Sequence, residues 1–155
     1  MERDKKAGER GEEEKMNPGK DYIGVGVGAF IVNGSNEFLM LLRAKDSKVE
    51  PGTWMIPGGK VEFNERMADA VKREIKEEID VELDVVEPIK TNDHIIPGQH
   101  WVTTTFLCKI KSGEPKILEP HKHESLKWFK FDEMPANLSV ASTNSLKAYR
   151  EKYGK

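Results

Sequence analysis

GGKVEFNERMADAVKREIKEEIDV, residues 58–81, opens on a glycine pair and closes on a helix whose acids stand at the wrong end. Carboxylates are stabilised near a helix N-terminus, and each one at the C-terminal end costs a few tenths to about 1 kcal/mol. Glu74, Glu77, Glu78 and Asp80 crowd that end. The helix is expected to run from just after Asn64, read as N-cap with Glu65 in the first turn, to near Ile79. At about 100° per residue, Met67, Ala68, Val71, Ile75 and Ile79 form one apolar stripe. Glu78 falls inside that stripe, Glu74 on its edge and Glu77 one step beyond. Two carboxylates a turn apart are therefore aimed at protein rather than water. Desolvation and mutual repulsion raise the pKa of such a pair. A divalent cation relieves both, and hard oxygen ligands at this spacing suit Mg2+ or Mn2+. Taken alone, KREIKEE reads more simply as a solvated face, with Arg73 and Lys76 as surface ion-pair partners.

The 155 residues allow one domain with a real core, expected over 21–155 after a disordered tail at 1–20. The tail holds charge and glycine with almost nothing to bury, and Met16 is a second candidate start. A formal net charge of −2 advertises no basic face for a nucleic acid polymer. No apolar run approaches the roughly 20 residues of a membrane span, and no signal peptide is recognisable. The single Cys108 sits in an apolar run and reads as core, which fits a cytoplasmic setting.

YIGVGVGAFIV (22–32) alternates, with Val25, Val27, Ala29 and Ile31 on one face and Gly24, Gly26 and Gly28 on the other. NGSN (33–36) predicts a hairpin turn and EFLMLLR (37–43) the return strand. Strands over 81–96, 100–111 and 125–131 and a closing helix over 139–153 complete a mixed sheet with helices packed on it, an α/β domain. The glycine stripe marks close approach of a ligand or of another chain segment. It is not a dinucleotide fingerprint, and no phosphate-binding P-loop occurs. Trp54, Trp101 and Trp128 each read as core or as a platform for a base. His121 and His123 lack partners at zinc spacing and read as surface residues.

Gly59, five residues, Glu65, seven residues, Arg73-Glu74-Ile75-Lys76-Glu77-Glu78, one residue, Asp80 and Val81: this spacing resembles the Nudix box of the Nudix hydrolases. It departs only at Asp80, where the family has glycine. The resemblance implies a Nudix-type α/β/α sandwich with a mixed β-sheet. It implies that Glu74 and Glu78, with Glu77 and the Gly59 carbonyl, hold the metal, and that Arg73 and Glu65 orient the helix and its acids. EPKILEPHKHESLKWF (114–129), GVGVG (24–28) and the Asn92…His100-Trp101-Val102-Thr103 run resemble a MutT-like subgroup of small nucleotide diphosphatases. There a further ligand or base comes from this region, for which Glu124 is the first choice and Glu119 the second. Trp128 is expected at the base, with Gly26 and Gly58 beside the substrate.

The function implied is Mg2+-dependent hydrolysis, with Mn2+ as substitute, of a nucleoside triphosphate or modified nucleotide to monophosphate and pyrophosphate. Its partner is a small-molecule nucleotide, without polymer or membrane, and the family suggests a homodimer. ADP-ribose or nucleoside-diphosphate-sugar cleavage is the alternative, signalled by Pro97, which a turn at Pro97-Gly98 explains equally. A non-catalytic nucleotide-binding module is the alternative of another class. Degenerate boxes lose acids, whereas this one keeps them.

Overall fold

The alternation in GVGVGAFI decides which core lies on which side of the molecule. In the computed structural model, which describes residues 15–154, strand β1 (Gly24–Ile31) turns Val27, Ala29 and Ile31 into one core and Phe30 into another. Gly26 and Gly28 share the Phe30 side. β2 (Glu37–Arg43) divides likewise, Leu39 and Leu41 against Phe38 and Met40. Burial on both faces is why these strands read as nearly continuous apolar runs.

β1 lies inside a mixed sheet of order β4 (Gly58–Lys60), β1, β6 (Gln99–Ser112), β5 (Glu82–Ile96), parallel to β6, the other pairs being antiparallel. β2 is the centre of an antiparallel sheet between β3 (Trp54–Met55) and β7 (His123–Lys130). Helix α1 (Met67–Ile79) seals the first core through Ala70, Val71, Ile75 and Ile79. Helix α2 (Val140–Tyr153) closes the second, where Tyr149 stacks on Phe30 with ring centroids 4.5 Å apart. The layers are those of an α/β/α sandwich, with the mixed sheet joined by a second, antiparallel one. Among the described residues no helix is long and apolar enough to cross a membrane.

Several expectations are corrected. β1 and β2 are not a hairpin. The turn at Asn33–Asn36 forms, but both edges of β1 are taken by β4 and β6, so β2 leaves for the other sheet and only Val32 and Phe38 bridge. Asn64 is no N-cap: it has φ 65°, and the helix starts two residues beyond Glu65, at Met67. Glu65 serves the helix from outside by binding Arg73. Met67 is exposed and Ala70 takes its place in the core. Pro97-Gly98 is a tight turn between β5 and β6, with Gly98 at φ 79°. Cys108 is fully buried, as read, and burial pushes its thiol up to about 12.

Described structure begins at residue 15, inside the tail expected over 1–20. Residues 1–14 lie outside the described residues, but 17–22 form a turn in which the Gly19 N–H donates to the Tyr22 carbonyl (2.7 Å). The Gly19 carbonyl accepts from His100 N–H at 2.8 Å. The Trp101 indole lies against Gly19 and Gly24, and a Cβ at either glycine would overlap the ring. A chain beginning at Tyr22 should accordingly melt several degrees below one beginning at Met16, since each 1 kcal/mol lost lowers Tm by about 2–4 °C at this size. Superimposable melts would show that the turn adds nothing.

Asp80 ends α1 in the left-handed conformation, φ 59° and ψ 43°. Its carboxylate pairs with Lys76 (3.1 Å) and Lys116 (3.5 Å), which hold it below its ordinary pKa and offset its position at the negative helix end. What remains is backbone strain, which glycine lacks and alanine keeps. Thermal melts should place Asp80→Gly at or above the wild type and Asp80→Ala below both; a wild type more stable than both variants would mean that the ion pairs, not the strain, dominate this position.

Candidate active site

The C-terminal half of α1 carries the acids to the start of β4. The Gly58 N–H donates to Glu78 Oε1 at 3.1 Å. The Glu74 carboxyl lies so close to the Gly59 backbone that a Cβ there would overlap it, so a side chain at this position would displace that carboxyl. Glu78 is 5% exposed and the Glu74 side chain 16%, whereas that of Glu77 is 57% exposed. Burial and the neighbouring Glu74 charge push the Glu78 carboxyl up to about 8. Glu74 is also raised, chiefly by burial, against the pull of Arg73.

Arg73 fixes the geometry. Its Nε and Nη2 donate to the Glu65 carboxylate at 2.6 and 2.9 Å, its Nη2 also to the Lys60 carbonyl at 3.0 Å, and its Nη1 to Glu74 at 3.0 Å. The fork draws Glu65 down to about 2 and raises Arg73 itself. Glu77, 3.4 Å from Nη1, stays on the outer side of this network, so it is not gathered with Glu74 and Glu78 as expected.

His123, read as a surface residue, is 5% exposed, with Nε2 3.5 Å from Glu78 Oε2. Burial lowers its pKa while Glu78 is raised, so near neutral pH the two face each other as imidazole and protonated acid rather than as an ion pair. It begins β7 on the strand face turned to the acids, a placement that no local signal in HKHES announces.

These groups form one end of a cleft of about 820 Å3. Glu119 lines it, its carboxylate 3.0 Å from Lys122 Nζ, and the pairing raises Lys122. Glu124 does not: it is exposed and accepts from the Lys45 N–H at 3.1 Å. The one-residue alternation of a strand beginning at His123 turns Glu124 away. Trp128 also misses the cleft and packs at the edge of the α1 core, while Trp54 meets Phe129 edge-on in the other. Trp101, Gly26, Gly58 and Gly59 do line it.

A family model described as the NUDIX domain matches residues 23–149, spanning both cores and every acid named above. The chain belongs to the Nudix family. Among its relatives, nucleoside triphosphatase NudI of Escherichia coli is 39% identical over 129 residues, 76% of this chain and 90% of that protein. The 8-oxo-dGDP phosphatase NUDT18 of Mus musculus is 30% identical over 112 residues, 71% of this chain. Against NUDT18 and other longer Nudix relatives, this chain spans only 26% to 37% of their length. The crystal structure of a MutT Nudix hydrolase from Burkholderia pseudomallei superposes with a TM-score of 0.75 at 38% identity, covering 81% of this chain and 96% of that one. Nudix hydrolases act on small nucleotides and generally use divalent metal ions.

The donor set fits such an ion. Among the described residues no three acidic, histidine or cysteine side chains gather into a complete cage. A small hard cation needs none, since one or two carboxylates with water and substrate phosphates complete its shell. Glu78, buried, and Glu74, half-buried, both with raised pKa values beside Gly59, would supply that half-shell.

In metal-free buffer the raised Glu78 group has a definite sign. The folded chain keeps this proton up to about 8, and the unfolded chain releases it near 4.5, so stability falls as pH rises between them. His123, with its lowered pKa, acts oppositely, but only below about 6.5. Melts in chelator should therefore show the wild type losing more stability than Glu78→Gln between pH 6.5 and 8. Equal slopes would mean Glu78 is ionised in the folded chain.

Proposed function

We propose that the chain is a Mg2+-dependent hydrolase, with Mn2+ as substitute, that converts a nucleoside triphosphate or modified nucleotide to its monophosphate and pyrophosphate by attack of water on phosphorus. The observation that carries this reading is the Glu78 carboxylate, buried with Glu74 at the negative end of α1 without enough protein charge to keep it ionised. A bound divalent cation would supply the missing charge, neutralise the diphosphate and make a water more acidic.

The chain's own residues take defined parts. Glu74 and Glu78, with the Gly59 carbonyl, would hold the cation. Glu65 and Arg73 keep Glu74 in place, and the Gly58 N–H keeps one Glu78 oxygen turned to the strand. Lys60, Lys122 and Arg43 line the same end and present cationic groups to phosphate. Glu119, which lines the cleft where Glu124 does not, would be the carboxylate that takes a proton from water. A single domain that takes in the 17–22 turn, a cytoplasmic setting and a homodimer remain part of this reading.

A panel of nucleotides assayed for pyrophosphate release with and without Mg2+ tests it. Glu78→Gln should lower turnover on the order of a hundredfold or more and abolish the rise in Tm that Mg2+ gives the wild type. Glu119→Gln should lower kcat strongly, Glu124→Gln hardly. Equal metal-induced stabilisation of wild type and Glu78→Gln would remove the metal assignment, and a larger loss at Glu124 would restore that residue as the base.

A further inference from the structure

Three buried side-chain nitrogens have no hydrogen-bond partner among the described residues: Arg43 Nε, His94 Nδ1 and His123 Nδ1. All three residues line the cleft. Buried polar atoms are nearly always paired, so exceptions gathered in one cleft point to a ligand that pairs them. Arg43 and His123 belong to the carboxylate end. His94 stands apart on β5, directly across from Trp101 on β6.

That part of the wall differs in chemistry. β5 and β6 contribute His94, Ile96, Gln99, Trp101, Thr103 and Thr105, with no carboxylate, lysine or arginine. Phosphates belong with the cations at the other end, so a neutral aromatic wall is left for the uncharged part of a nucleotide. Trp101, seated on Gly19 and Gly24, donates from Nε1 to Gln99 Oε1 at 2.9 Å. An indole N–H can only donate, so it takes the acceptor end of the Gln99 amide and leaves the NH2 end. Among the described residues nothing accepts from that NH2.

Building on the nucleotide hydrolase reading above, we propose that this sheet end seats the nucleobase and that Gln99, its amide oriented by Trp101, selects bases bearing a carbonyl where others bear an amino group. Guanine O6 and thymine or uracil O4 accept from the Gln99 NH2; adenine N6 and cytosine N4 present a second donor and leave both unpaired. The orphaned His94 Nδ1 is the second polar contact for the base, and the indole supplies ring surface.

The test compares kcat/KM for dGTP with dATP and for dTTP with dCTP, pairs of matched ring size. The wild type should favour the carbonyl base in each pair by about tenfold or more, as unpaired donors cost. Gln99→Glu, equal in size, offers an acceptor in place of the NH2 and should reverse both ratios. Trp101→Phe keeps a ring but frees the amide to turn, and should bring both ratios toward one. Unchanged ratios in Gln99→Glu would overturn the assignment. Should the wild type hydrolyse none of the four, the unmodified deoxynucleoside triphosphates are not its substrates and the base site is tested by binding alone. Calorimetric binding of dGMP, dAMP, dTMP and dCMP then decides: the same preference with reversal in Gln99→Glu supports the base site, and equal or absent binding overturns it.

Discussion

A carboxylate buried at the C-terminal end of a helix is unfavourable three times over, through desolvation, through the helix dipole and through its neighbour one turn away. Glu78 has all three, and the surrounding structure can be read as the set of conditions that make this tolerable. The Gly58 N–H meets one oxygen, and a neutral His123 faces the other without adding a buried charge. Arg73, tied to Glu65, to the Lys60 carbonyl and to Glu74, prevents the second carboxylate from adding its full repulsion. The remaining imbalance is the reason for proposing a cation at this site.

Glycine makes this geometry accessible in two places, for the same steric reason. At Gly59 the absence of a side chain lets β4 lie against the Glu74 carboxyl; at Gly24, with Gly19, it lets the Trp101 indole lie flat on the backbone. The first builds the charged end of the cleft and the second its neutral end. Between them β1 presents Gly26 and Gly28, so the strand that organises both cores also forms a low floor of the cleft.

The 17–22 turn connects the chain's beginning to that neutral end. Its Gly19 carbonyl holds His100, next to Trp101, and its backbone covers part of the indole. Such a contact is invisible in composition, because Gly19, the residue that meets the indole, has no side chain to advertise packing. What packs there is backbone against a ring.

How much was legible depended on the range of the interaction. The helix with its inward acids, the β2 run, the long β5 and β6 strands and the left-handed Asp80 follow from periodicity, from the dipole and from local sterics, all of which act within a few residues. The inward placement of Glu74 and Glu78 was legible for the same reason, since spacing along one helix fixes which carboxylates face inward. Tertiary structure alone decided the rest. β2 could not pair with β1 once β6, some 70 residues away in sequence, had taken that edge. The exclusion of Glu124 from the cleft, the burial of His123 and the presence there of Trp101 rather than Trp128 all turn on which face a strand shows to a distant neighbour. A strand reverses its faces with every residue, so a boundary uncertain by one position leaves that open.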